Sequence, residues 1–430
     1  MCSKGINVNV NIKTKKLLLS LTVGCVLTAC SVKENESETQ AVAAVDASQS
    51  VSAAQEKVWP TDDVAFCSAA LDNAAVQLDG FRKHYTDPTN IPTSYENGKT
   101  KYTKTNGWTS GFVAGNFWYL YEHTKDESWL NSAIEWTNAL KYEQYNRRTH
   151  DVGFIMYNSY GNGLRLTGNE TYSPLLVSTA RTLMERYNEK IGTTYSWSFG
   201  RWEFPVIIDN MMNLELLFFA SQATGDKVYY DAAVSHATVT MEHHFREDAS
   251  SYHLVSYNRE TGLPNKKQTV QGIANDSPWA RGQGWGLYGY SMVYRFTQDE
   301  KFLNHARNIA NFILTHENMP EDLVPYFDFH APNYADIKNY RDSSAASLIA
   351  SALLELANYV EADEAKRYRE AALKMLRSLS TSAYLASEGE NGHFLLKQAT
   401  GNFPRDLELN AAINYADYYY LEALNRCKSL

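Results

Sequence analysis

Apolar and polar positions alternate along this chain in blocks with helical spacing, and the helical blocks come in pairs. A recurring turn marks each pair. It reads Thr124-Lys125-Asp126-Glu127-Ser128-Trp129 with Ala133, then Thr167-Gly168-Asn169-Glu170-Thr171-Tyr172. It returns as Thr224-Gly225-Asp226-Lys227-Val228-Tyr229 with Ala233, and as Thr297-Gln298-Asp299-Glu300-Lys301-Phe302 with Ala306. A looser copy is Ala362-Asp363-Glu364-Ala365-Lys366-Arg367-Tyr368 with Ala372. Each copy ends an apolar helix, turns on Gly, Asn or Asp, and opens an amphipathic helix carrying an aromatic and then an alanine. Such recurrence is a structural repeat rather than a chance use of turn residues. A sixth pair joins the first helix, about residues 62–84, to the last, about residues 408–425. Six hairpins closing on themselves predict an all-α (α/α)6 toroid.

One block departs from amphipathicity. Phe204-Pro205-Val206-Ile207-Ile208-Asp209-Asn210-Met211-Met212-Asn213-Leu214 leads into Glu215-Leu216-Leu217-Phe218-Phe219-Ala220, a helix apolar on nearly every face. Such a helix is buried, so Asp209 at its start sits where an unpaired charge is costly. The simplest role for Asp209 is a helix N-cap. In the toroid, however, all inner helices start at one end. Their openings contain Trp108-Thr109-Ser110-Gly111-Phe112, His150-Asp151-Val152-Gly153-Phe154, Ile208-Asp209-Asn210, Trp279-Ala280-Arg281-Gly282-Gln283, Arg341-Asp342-Ser343-Ser344 and Arg405-Asp406-Leu407-Glu408. Acids, arginines, histidines and tryptophans thus converge on one mouth, the place to look for chemistry.

The N-terminus reads differently. Lys13, Lys15 and Lys16 precede an apolar run over 17–29 that ends in Leu27-Thr28-Ala29-Cys30. A basic region, a short apolar region and small residues before a cysteine describe a bacterial lipoprotein signal. The run is short for a membrane span. Residues 1–29 are therefore assigned to a signal peptide, with Cys30 as the lipidation site and 30–57 as a flexible tether without Gly, Pro or aromatic residues. Residues 58–430 form one catalytic domain. This organisation predicts a lipid-anchored, extracytoplasmic protein in the periplasm or on the outer membrane. Cys67 and Cys427 either pair in an oxidising compartment or remain buried thiols.

The net charge of −9 argues against a nucleic-acid partner. The 29 tyrosines and nine tryptophans suit either a large core or a cleft where rings stack on sugar faces. Asp151 and Asp209 are the candidate catalytic pair, because glycosidases commonly use two carboxyl groups. Helix starts hold both ionised, whereas burial and mutual repulsion let the pair keep one proton near neutral pH. Two ordinary N-caps facing a water-filled hole would look the same in sequence. Arg281 offers a planar fork to a carboxylate or sulfate. His150, His253 and Gln271 are candidate partners for sugar hydroxyls or the same acid group. Trp108, Trp197, Trp279 and Trp285 are stacking platforms or wall. His243-His244 is no metal pair, since neighbours on a helix point apart. Nothing calls for a metal or cofactor, and phosphate-loop, nucleophile-elbow and dinucleotide motifs are missing from the sequence.

The chain resembles the unsaturated glucuronyl hydrolases, glycoside hydrolase family 88. The resemblance rests on the Trp108, His150 and Ile208 stretches above, with Ser159-Tyr160-Gly161-Asn162-Gly163 and Ser277-Pro278-Trp279-Ala280-Arg281-Gly282-Gln283-Gly284-Trp285-Gly286. Arg341-Asp342-Ser343-Ser344-Ala345-Ala346 and Ala416-Asp417-Tyr418-Tyr419-Tyr420-Leu421-Glu422-Ala423-Leu424 complete it, so that it spans nearly all of the folded region. It implies an (α/α)6 barrel that removes the terminal 4,5-unsaturated uronic acid from oligosaccharides released by a polysaccharide lyase. The implied chemistry hydrates the enol-ether double bond, with Asp209 as acid/base and Asp151 beside it. It also implies that His150, His253, Gln271 and Arg281 line the sugar site, with Trp108 and Trp279 next to it. The segment 390–405 does not match the family, which leaves the parent polysaccharide open among glycosaminoglycan and ulvan types. Two rivals share the architecture: an unsaturated rhamnogalacturonyl hydrolase and a polysaccharide lyase. A third reading is a surface sugar-binding lipoprotein without activity, against which the intact pair of aspartates argues.

Overall fold

The computed structural model describes residues 57–430, so the leader and Cys30 lie outside the described residues. In chain order the helices begin with α1 (Asp63–His84), α2 (Ser110–Thr124) and α3 (Glu127–Ala139). Next come α4 (Val152–Met156) and α5 (Asn162–Thr167), joined through a π-turn over Tyr157–Gly161, and then α6 (Ser173–Met184). They are followed by α7 (Leu214–Thr224), α8 (Lys227–His243), α9 (Ala280–Thr297) and α10 (Glu300–Thr315). The last are α11 (Ser343–Leu356), α12 (Ala362–Leu379) and α13 (Asn414–Lys428).

These helices form the (α/α)6 barrel. The inner ring is α2, α4–α5, α7, α9, α11 and α13, in contact around the circle, and each packs on an outer partner. Sequence explains which is which. Every residue of α11 is buried, as is α9 from Ala280 to Tyr294. The outer α10 and α12 bury only one stripe, Phe302, Leu303, Ala306, Ile309, Ala310 and Ile313 in the first case. The aromatic–alanine signature of the repeat is that stripe: Trp129 with Ala133, Tyr229 with Ala233, Phe302 with Ala306 and Tyr368 with Ala372 are all buried.

The recurring turn also has a physical basis. Lys125, Gly168, Gly225 and Gln298 end their helices in the left-handed conformation. The next acid caps the outer helix in three turns, where Asp126 accepts from Ser128 N, Asp226 from Val228 N and Asp299 from Lys301 N; in the fourth, Asn169 accepts from Thr171 N and caps the 3-10 turn that leads into α6. The preceding threonine hydroxyl accepts the N–H of that capping residue in all four turns. The looser fifth copy is capped by Glu361 without a side-chain bond.

Among the described residues, the strands lie on the connections from an outer helix to the next inner one, at the mouth. One sheet has the order β2-β1-β9-β8, with β1 (Ile91–Glu96), β2 (Lys99–Thr103), β8 (Ala399–Asn402) and β9 (Leu407–Ile413). A two-stranded sheet pairs β3 (Tyr187–Asn188) with β4 (Thr193–Thr194). The third has the order β5-β6-β7, from β5 (Pro205–Ile207), β6 (Leu254–Tyr257) and β7 (Pro264–Gln268).

The ninth strand corrects the sequence reading. The last inner helix starts at Asn414, and Arg405-Asp406-Leu407-Glu408 belongs to a 3-10 turn and β9. Asp406, Glu408 and Asn410 have φ of 52°, 57° and 56°, which no helix accommodates. Ser94 and Ile413 pair between β1 and β9, so the first and last parts of the described residues meet at the mouth as well as through α1 and α13. A disulfide between Cys67 of α1 and Cys427 of α13 fastens the same junction.

Candidate active site

Asp209 reaches the mouth on a strand. Val206, Ile207 and Ile208 are a β-branched run that prefers extended backbone, and Ile207 pairs with Leu254 of β6. Ile208 N continues the ladder to His253 O at 3.0 Å, which sets Asp209 beside His253. A 3-10 turn over Ile208–Asn213 then leads into α7. The expected N-cap is therefore corrected: Ile207 occupies the capping position, Asp209 lies inside the turn, and its Oδ2 has no hydrogen-bond partner in the protein. Extended backbone ends at Ile207 and the turn begins at Ile208, so the aspartate lies past the one position a capping residue can hold.

Asp151 stands immediately before α4 and likewise makes no capping bond. Its Oδ2 accepts from Thr149 Oγ1, and its Oδ1 is 3.3 Å from His150 Nε2. Asn213 Oδ1 accepts from Phe154 N at 3.1 Å and ties the Asp209 turn to α4. Gly153 permits that approach, because a Cβ there would lie 2.5 Å from Asn213 Oδ1 and 2.8 Å from its Cα. Gly111 plays the same part between α2 and α4, where a Cβ would meet Phe154 O at 2.3 Å. The glycines of the two motifs thus close the inner ring around the aspartates.

His253 is fixed in one tautomer. Its Nδ1 accepts from Val270 N at 3.0 Å, so the neutral ring carries its hydrogen on Nε2, 3.7 Å from Asp209 Oδ2. Burial and the nearby Arg281 push its pKa down to about 3. Burial brings His150 to about 4, opposed by Asp151 and reinforced by Arg186. Both imidazoles are neutral donors or acceptors at working pH.

Arg281 is 1 % exposed and its fork is engaged inside the protein. Nη1 donates to Asp342 Oδ2 at 2.8 Å and Thr400 O at 2.6 Å, and Nη2 donates to Gln271 Oε1 at 2.8 Å and Gly401 O at 2.7 Å. Its charge stays near Asp209, while Gln271 keeps its amide nitrogen for another acceptor. Asp342, Thr400 and Gly401 are partners that the motifs alone do not disclose; the two carbonyls lie far along the chain on β8 and carry no side-chain signal.

Asp209 is 6 % exposed. Burial raises its pKa to about 7; the Arg281 charge opposes the rise, Asp151 adds to it, and the Trp285 indole opposes it. The carboxyl is consequently poised to hold a proton near neutrality, as a general acid requires.

The tryptophans divide. Trp108 is half-buried and packs on Phe112, Phe154 and Tyr415. Trp279 and Trp285 are buried. Trp279 lies between the His253 ring, at 4.7 Å, and the Arg281 guanidinium, at 4.6 Å, so it shapes the site from behind. Trp285 packs on Phe154 and Tyr419 as the floor. Trp197 is half-buried on the loop before β5.

The chain matches the model of Glycosyl Hydrolase Family 88 over residues 81–429. It belongs to that glycoside hydrolase family. An unsaturated glucuronyl hydrolase of Formosa agariphila is 44 % identical over 326 residues, which cover 75 % of this chain and 80 % of that protein. An unsaturated chondroitin disaccharide hydrolase of Streptococcus pneumoniae is 33 % identical over 366 residues, covering 83 % and 90 %. Among solved structures, an unsaturated glucuronyl hydrolase specific for heparin superimposes with a TM-score of 0.82 at 44 % identity, covering 84 % of this chain and 97 % of that one. This family member is a glycoside hydrolase whose aspartate pair lies at the mouth of the barrel.

Proposed function

We propose that this hydrolase removes the terminal 4,5-unsaturated uronic acid from lyase-generated oligosaccharides by hydrating the double bond. The observation that carries this reading is the Asp209 carboxyl, buried, proton-holding near pH 7 and flanked by Asp151 and a neutral His253. Protonation of C4 by Asp209 builds oxocarbenium character at C5, next to the ring oxygen. Water then bonds to C5 and gives a proton to the Asp209 carboxylate, which restores the acid. The hemiketal collapses to a ketone at C5 with cleavage of the C5–O5 bond. The resulting hemiacetal at C1 releases the remaining saccharide as an alcohol and leaves an aldehyde.

In this scheme Asp151 accepts from sugar hydroxyls and raises the pKa of Asp209. His150, His253 Nε2–H and the Gln271 amide offer hydrogen bonds, and Arg281, paired with Asp342, holds the Gln271 amide in place. Trp108 lies beside the sugar. Relatives that act on heparin and on chondroitin disaccharides support glycosaminoglycan fragments as the substrate class. Asp209→Asn should abolish the loss of unsaturated-uronate ultraviolet absorbance while leaving the thermal midpoint near wild type. Activity within a few-fold of wild type would remove Asp209 from its role.

The reading of the N-terminus belongs to the same proposal: export, lipidation at Cys30 and a tether over 30–57 that holds the enzyme outside the cytoplasm. The Cys67–Cys427 disulfide supports an oxidising compartment. Cys30→Ala should move the protein from the detergent fraction to the aqueous one; unchanged partitioning would rule the anchor out.

A further inference from the structure

The loop before β5 carries Trp197, Phe199 and Trp202 within six positions. Phe199 is 63 % exposed although it is a large apolar ring. It is not loose: it stacks on Trp197 at 5.2 Å and 12°, and Trp197 meets Trp202 edge-on at 5.9 Å. Gly200, at φ 86°, makes the bend between them, where a Cβ would strike the Trp202 ring at 2.8 Å. Trp202 Nε1 donates to Gln268 Oε1 at 2.8 Å and pins the cluster to the end of β7.

The cluster sits at the rim of the catalytic mouth on two counts. Ser196 Oγ donates to Asn210 Oδ1 at 2.8 Å and accepts from Ile207 N, so the loop is locked to the neighbour of Asp209. Gln268 leads straight to Val270, which orients His253, and to Gln271, which bonds Arg281. An aromatic face held rigid and outward beside a sugar site fits the apolar face of a second ring, since rings stack on sugar faces. Exposed Arg201 sets a guanidinium 5.9 Å from the Trp202 ring, while the neighbouring Glu203 carboxylate is bound by Asn258 and by the Arg259 N–H.

We propose that Phe199, propped by Trp197 and Trp202, stacks on the saccharide next to the unsaturated uronate, and that Arg201 selects for an anionic substituent on that saccharide. The assignment rests on the reaction proposed above and adds a determinant for the second sugar of the substrate. It places on one loop a preference that the catalytic residues do not express, because they engage only the terminal ring.

The test compares an unsaturated uronyl methyl glycoside with sulfated and unsulfated unsaturated disaccharides. In Phe199→Ala, KM for the disaccharides should rise about three- to tenfold, well beyond any change for the methyl glycoside, with kcat kept. Phe199→Trp should restore KM. Arg201→Gln should reduce the ratio of kcat/KM for sulfated over unsulfated disaccharide several-fold. Equal KM changes on both substrate types, or none on either, would overturn the proposal. So would a sulfate preference indifferent to Arg201. Calorimetric binding of the disaccharides to Asp209→Asn, with and without Phe199→Ala, separates the two readings. If wild type turns over no unsaturated substrate while disaccharide Kd depends on Phe199, the reaction is wrong and the platform stands. A Kd that ignores Phe199 removes the platform.

Discussion

The surroundings of Asp209 let its carboxyl hold a proton near neutrality, as the proposed acid role requires. Burial is the largest influence on its carboxyl and Asp151 acts in the same direction, while Arg281 and Trp285 limit the rise to about 7. These influences set the sign of the pH dependence. In the proposed reaction the protonated form donates, so kcat/KM should fall as pH rises through about 7. Asp151→Asn removes a repelling charge and lowers the pKa of Asp209, so the falling limb should move to lower pH. A pH–rate profile whose alkaline limb does not move in Asp151→Asn would sever the coupling of the two acids. The sequence reveals this pair through its motifs and its burial pattern. It does not reveal the backbone beneath Asp209, because a strand ending in a 3-10 turn and a capped helix start with the same Ile-Ile-Asp-Asn letters. Nor does it reveal that Arg281 is held by two backbone carbonyls of β8, since any residue supplies a carbonyl.

Elements explain why the hairpins are legible in the sequence and the sheets are not. Four hairpins are written locally: a left-handed residue, an acid or amide cap and a buried aromatic, followed in three of them by an alanine, within about ten positions. The sheets depend on partners far apart in the chain, such as β1 with β9, and several strands are only two or three residues long. Leu407–Ile413 reads as helix because its residues suit either state, and its pairing with β8 and β1 decides the outcome. Packing between elements makes a sharper prediction at Gly153. A methyl there must displace the backbone of Asn213, not merely the tip of a flexible side chain. Gly153→Ala should therefore push α4 away from the Asp209 turn and lower kcat by up to about a hundredfold, the scale of a 1 Å misplacement. The melting temperature should fall only modestly if the change stays local. Wild-type kcat in a folded Gly153→Ala protein would show that the two aspartates do not need this spacing.

At the scale of the whole molecule, a toroid has a seam where its first and last helices meet. Here that seam is closed by α1 against α13, by β1 against β9 and by the Cys67–Cys427 disulfide, which spans 360 positions of sequence. Cross-linking so long a loop restricts the unfolded chain more than a short one, and an entropic account gives about 6 kcal/mol for a loop of this length. Both sulfurs are buried beneath the outer surface and far in sequence from the aspartates. The double variant Cys67→Ser/Cys427→Ser should thus unfold at a clearly lower temperature than the oxidised wild type. Its kcat at a temperature where both are folded should be unchanged. Reductant should lower the wild-type midpoint toward that of the variant, and only after partial unfolding exposes the bond, so the shift should grow with incubation near the midpoint. Equal midpoints for oxidised wild type and the double variant would mean that helix packing and the β1–β9 pairing alone hold the seam.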